Sequence, residues 1–228
     1  DLLLILTALA QDGVPVETLA PKFSGRFNKG VDYAGDPARF AREFEMDLAV
    51  LQFARRELGL PESLKFSVHS GSDKFSLYPP IRKALKRFDA VLHLKTAGTT
   101  WLEEVIGLAA SGGEGGGLVA DIYAQALGRY DELCKPYATV IDIDRARLPA
   151  PAELRRWSPE RLAAAIRHDE RDPHYNPHLR QLLHVAYKVA AELGARYQEA
   201  LAKFEPLITE SVAGNLWSRH ILPLFVEA

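Results

Sequence analysis

The chain has 228 residues, enough to bury a sizeable core as one α/β domain. Its 28 basic and 30 acidic residues leave a formal net charge of −2, so no overall basic field exists to hold nucleic acid or an anionic membrane. The single cysteine, Cys134, excludes an intramolecular disulfide and a thiolate zinc cluster, and a reducing cytoplasm is the expected compartment.

The apolar opening "DLLLILTALA" is too short for a membrane span and lacks the basic flank of a signal peptide, so it is expected as a buried helix capped by Asp1 and stopped near Gly13. "VPVETLAPKFSG" alternates like a strand. From Pro37 to Leu58, Phe40, Phe44, Leu48, Leu51 and Leu58 recur at near-helical spacing, and Gly59 supplies the stop. A strand at Leu64 to His69 then leads to a helix beginning at Pro79 or Pro80. The plan repeats with a strand from Ala90 to Lys95 and a helix capped by Thr99 or Thr100, the latter at capping-box spacing from Glu103.

"SGGEGGG" at 111–117 lacks the Lys-Ser/Thr of a phosphate loop and reads as a flexible linker. The rest is predominantly helical: Leu118 to Cys134, Pro159 to Arg167, Pro177 to Gly194, and Arg196 toward Phe225 with breaks. "VIDIDRARLPAP" is expected as a short strand and a loop. Strands alternating with helices imply a parallel sheet, with βα units over 1–117 and a mainly helical part over 118–228 of the same domain.

In such a fold chemistry gathers at the carboxyl ends of the strands. Alternation turns Phe66, Val68, Leu92 and Leu94 toward the helices, leaving Ser67, His69, His93 and Lys95 on the opposite face, where Lys22 can join them. Amines and imidazoles make a poor apolar core, so this face is expected to line a polar, ligand-filled cavity. His69 sits among Ser70, Ser72, Asp73 and Lys74, a setting for a metal ligand with Asp73 orienting it; Asp73 and Lys74 as a plain surface ion pair is the alternative. His93 reads equally well as a structural residue. Lys95 suits either a Schiff base or a fixed cation. His174 and His178 have i, i+4 spacing, but Pro177 breaks the helix between them. Arg180 and Gln181 can reach an anionic ligand.

In this order, "KFSGRFNKGVDYAGD", "HSGSDKFSLYP", "HLKTAGTTWLE" and "RQLLHVAYKVA" closely resemble the tagaturonate epimerase family, most strongly from Pro21 to Glu103. The resemblance implies a TIM-barrel-like fold and a divalent-metal-dependent enzyme, with zinc, manganese or a similar ion, that interconverts tagaturonate and fructuronate in hexuronate catabolism. It implies His69 as a metal ligand, and Lys22, Ser70, Lys74 and Lys95 as binders of the uronate substrate's carboxylate and hydroxyls. The chain resembles only the C-terminal half of family members, so the N-terminal half of the barrel is an expected partner supplying further metal ligands and the acid/base carboxylates. A Schiff-base barrel aldolase using Lys95 and a non-catalytic sugar-acid binding module are the competing readings.

Overall fold

Asp36 accepts a hydrogen bond from the Ala38 amide at 2.8 Å, Pro37 follows in the first turn, and Gly59 closes the helix at φ 68°. These signals bound α2 (Pro37–Leu58), whose stripe Phe40, Phe44, Leu48, Leu51 and Ala54 is buried. In this computed structural model, which describes residues 1–68 and 73–226, that stripe organises the first of two hydrophobic cores. α1 (Leu2–Gln11) and α3 (Tyr78–Phe88) pack beside it.

Under these helices lies a parallel sheet in the order β1 (Thr18–Leu19), β2 (Lys65–Val68), β3 (Leu92–Leu94). Phe66 pairs with Leu92, Ser67 with His93 and Val68 with Leu94. Phe66, Val68, Leu92 and Leu94 all pack into the core under the helices, as alternation predicts, and His93 stands exposed on the other face. The α/β reading and the parallel sheet therefore hold. β1 and β3 each keep one outer edge beyond this sheet.

The second core is helical. α4 (Ala97–Ala110) and α5 (Gly113–Gly128) form its centre, surrounded by α6 (Tyr130–Cys134), α7 (Pro151–Leu154), α8 (Pro159–Ile166), α9 (Pro177–Val185), α10 (Tyr187–Glu192), α11 (Ala195–Lys203) and α12 (Glu205–Asn215). A π-helix over Leu216–Val226 then returns Leu224 to the first core.

Five expectations change. The glycine run is no linker: α5 begins inside it, because a Cβ at Gly115 would lie 2.7 Å from the Leu108 carbonyl, and the missing side chain lets the two helix ends close up. Neither Thr99 nor Thr100 caps α4. The cap position is Thr96, and both Thr99 and Glu103 are buried inside the helix. "VIDID" forms no strand; the Val140 carbonyl accepts from Lys29 and the Asp142 amide donates to Gln181. α1 is buried only at Leu6, since one stripe alone meets α2, and Leu4 is 73% exposed. The helix foreseen from Pro177 to Gly194 breaks at Ala186, which separates α9 from α10. Among the described residues no helix is long and apolar enough to cross a membrane.

Candidate active site

Past the carboxyl end of β1 the chain makes a loop closed by an antiparallel bridge between Arg26 and Ala34. At its apex Gly30 has φ +73°, a conformation that side-chain-bearing residues rarely adopt. Two cations grip the apex from below. Lys74 Nζ donates to the Asn28 and Val31 carbonyls at 2.9 and 2.5 Å, and Arg180 Nε donates to the Gly30 carbonyl at 2.5 Å. The Lys29 amide donates to the Val140 carbonyl at 2.8 Å, so the backbone on both sides of Lys29 is fixed.

Arg180 also holds Asp73, at 2.6 Å from Nη2 to Oδ2, and both side chains are 0% exposed. Its third reach is to the Ile166 carbonyl at 2.6 Å. His168 Nδ1 lies 3.1 Å from Asp73 Oδ2, and Thr99 donates to Oδ1 at 3.1 Å. His220 Nε2 lies 3.2 Å from Oδ1 without an aligned hydrogen bond, and its Nδ1 meets the Tyr78 hydroxyl at 2.5 Å. Burial by itself would raise the Asp73 carboxyl; Arg180 and the two imidazoles outweigh it and hold the group well below the usual carboxylate range. The ring of Phe75 contacts both imidazoles, with centroids 5.2 Å from His168 and 5.3 Å from His220.

Above this network lie two cavities, of about 840 and 740 Å³, that share Lys29 and Tyr137 in their walls. The larger is bounded by the first turn of α4 at Ala97 and Gly98, by Trp101 and Tyr187, and by His184. The smaller runs along Lys22 to Phe27. Both border the chain that leaves a strand at its carboxyl end, where the α/β plan places chemistry. At His184 the field is positive. Burial, then Lys29, Arg180 and Lys74, push His184 down to about 3, so its ring is neutral. Burial lowers the Lys29 ammonium too, and brings Lys74 to about 8 against the opposing pull of Asp73 and Asp32.

Of the residues singled out from sequence, His69, Ser70 and Ser72 lie outside the described residues. Lys22 lines the smaller cavity and is exposed. Lys74 is 2% exposed and holds the loop carbonyls, while Asp73 pairs with Arg180, so the two do not form a surface ion pair. Lys95 is exposed and outside both cavity walls, without the burial that activates a Schiff-base lysine. Arg180 does meet an anion, the protein's own Asp73, and Gln181 bonds the backbone of Asp142. His178 accepts from the Asp144 amide, away from any metal role with His174. The sequence singles out neither Lys29 nor His168 nor His220, and it marks His184 only as a neighbour of His174 and His178; Lys29 has a signal, the adjacent Gly30 inside "FNKGVD", whereas His168 and His220 lie far from it in sequence.

Among the described residues no group of three or more His, Cys, Asp or Glu side chains is arranged to hold a metal ion.

A sequence model of a family described as tagaturonate epimerase matches residues 2–205. The tagaturonate/fructuronate epimerase of Thermotoga maritima is 33% identical over 220 residues, covering 95% of this chain and 40% of that protein. The two-glycerol complex of the fructuronate-tagaturonate epimerase UxaE from Cohnella laeviribosi superposes with a TM-score of 0.76 at 26% identity, over 99% of this chain and 42% of that one. Its native crystal structure gives 0.63 at 26% identity, over 93% and 42%. The chain thus spans about two-fifths of the length of these relatives.

Proposed function

The chain belongs to the tagaturonate epimerase family, and from that premise we propose that the whole protein interconverts tagaturonate and fructuronate. The observation that carries the reading is a groove at the carboxyl ends of the strands in a chain of this family, with Lys22, Arg26 and Lys29 along its smaller cavity and Lys29 and Lys188 beside Glu104 and Glu132 in the larger. An anionic sugar fits such a place, with lysines meeting its carboxylate and hydroxyls and exposed Tyr137 and Tyr187 flanking its apolar faces. Lys22 lies on that groove, and Lys95 follows β3 at the same sheet end; Lys74 acts by fixing the loop.

The outer edges of β1 and β3, and the exposed Leu3, Leu4 and Ile5 of α1, are the surfaces on which the remainder of a TIM-like barrel would build. That remainder would supply the acid/base carboxylates. A divalent metal held by His69 belongs to the same reading and would act as a Lewis acid on the substrate carbonyl. The described residues do not form a metal site by themselves.

The inverted carbon bears a hydroxyl β to the ketone, so removing an α-proton does not invert it. In a retro-aldol route this hydroxyl loses its proton as the carbon–carbon bond breaks, giving an aldehyde and an enediolate. The aldehyde turns, the bond re-forms on its other face, and the alkoxide regains a proton. Cations along the groove hold both fragments against escape. Incubating the protein with fructuronate and a divalent metal is expected to yield tagaturonate by NMR; no conversion with any of zinc, manganese or magnesium would sink the reading. Deuterium on the inverted carbon is expected to give no primary isotope effect, and a large one would replace retro-aldol cleavage with hydride transfer.

A further inference from the structure

Among the described residues the groove holds one cation whose backbone is hydrogen-bonded on both sides and whose only recorded partner is an aromatic ring. Lys29 Nζ lies 4.7 Å from the centre of the Tyr137 ring, and among the described residues no carboxylate pairs with it. Other cations of the two cavity walls differ. Arg26 pairs with Asp142 and Lys188 with Glu132, while Lys22 is exposed and lines only the smaller cavity. Lys29 alone lines both cavities together with Tyr137.

The loop beneath explains why this ammonium stays in place. The carbonyls of Asn28, Gly30 and Val31 are turned away from the groove toward Lys74 and Arg180, so none of these dipoles competes for it. Arg180 is held by Asp73, which follows directly on the 69–72 segment, so one buried ion pair connects the loop of Lys29 with the end of β2. A group fixed in this way meets a ligand with little ordering cost.

We propose that Lys29 is the carboxylate-binding residue for the uronate, and that Arg180, Lys74 and Asp73 are positioning residues that present it. The inference rests on the epimerase reading for its ligand class: a six-carbon keto acid whose carboxylate meets the ammonium while its chain lies along Tyr137. It distinguishes a uronate from the neutral ketose, which has CH2OH at that end.

The test measures fructuronate and fructose binding by calorimetry, and fructuronate turnover, for the wild type, Lys29→Met, Lys29→Arg and Lys22→Met. Loss of one charge-assisted contact predicts fructuronate binding about 10- to 150-fold weaker in Lys29→Met. Fructose binding and the melting temperature should stay unchanged, Lys29→Arg should recover most of the loss, and Lys22→Met should have the smaller effect. Fructuronate affinity unaltered in Lys29→Met, or both sugars weakened equally, overturns the inference. Wild type that binds fructuronate without turning it over refutes the epimerase reading while the affinities still decide on Lys29; wild type that binds no fructuronate overturns the inference as well.

Discussion

Replacing Asp73 by alanine leaves Arg180 charged in a place where neither side chain has any exposure. The deletion removes the acceptor of Arg180 Nη2 at 2.6 Å, of His168 at 3.1 Å and of Thr99 at 3.1 Å. Breaking one side of a buried ion pair costs about 3–5 kcal/mol, because the remaining charge keeps its desolvation penalty without compensation. At roughly 2–4 °C per kcal/mol for a chain of this size, the melting temperature should fall by about 6–20 °C. Arg180→Met should be comparably harmful, but the double variant should lose less than the sum of the two by at least ~2 kcal/mol, since neither member of the pair is left charged without the other. Urea unfolding followed by circular dichroism at pH 7 measures all four corners of the cycle. Asp73→Ala costing under about 1 kcal/mol, or additive singles, would refute the reasoning. The sign with pH follows from the lowered carboxyl: its stabilisation is complete above the unfolded value of about 3.9 and disappears as pH falls through the folded one, so Asp73→Asn should flatten the acid limb below about pH 4.

Gly107→Ala places a methyl 2.8 Å from the Ile208 backbone Cα, where α4 meets α12, and should cost about 1–3 kcal/mol in the same urea assay; a neutral result would show that the helices part freely. His184, pushed down to about 3, stays neutral in the fold while the unfolded chain takes up a proton below about 6.5. Stability should therefore fall by about 1.4 kcal/mol for each unit that pH is lowered between those values, and NMR should find the ring neutral at pH 4.5; titration near 6.5 contradicts this. Burial raises the Glu103 carboxyl, so its protonated form is favoured in the fold and that contribution is lost as pH rises through the raised value. Glu103→Gln should match the wild type at pH 4 and equal or exceed it at pH 8 in urea midpoint; a clear loss at pH 8 would mean that the bonds from Ser211 and Asn215 require the carboxylate.

Elements governed by local rules were legible in the chain. α2 begins and ends where its proline and glycine predict, and the inward alternation of β2 and β3 matches their packing. What escaped depends on partners distant in sequence. The glycines at 113–117 look flexible until α4 and α5 are brought together, and "VIDID" has a strand's composition but finds Lys29 and Gln181 in place of a sheet edge. Asp73 and Arg180 each stand out in the sequence as polar residues near a possible ligand, yet nothing local says that they choose one another across 107 positions. The helix following β3 was expected to cap itself through Thr100 and Glu103; Glu103 instead accepts from Ser211 and Asn215, which only tertiary packing supplies.

Arg180 bonds Gly30 across 150 residues and Asp73 across 107, while its hold on Ile166 spans 14. Closing such long loops is entropically costly until the rest of the chain has collapsed, so contacts of this range form late. The sheet and α2 use nearer partners and can assemble before α9 has left a ribosome. Biosynthesis would then set the Lys29 loop only after the chain beyond residue 180 has emerged, later than the sheet beneath it.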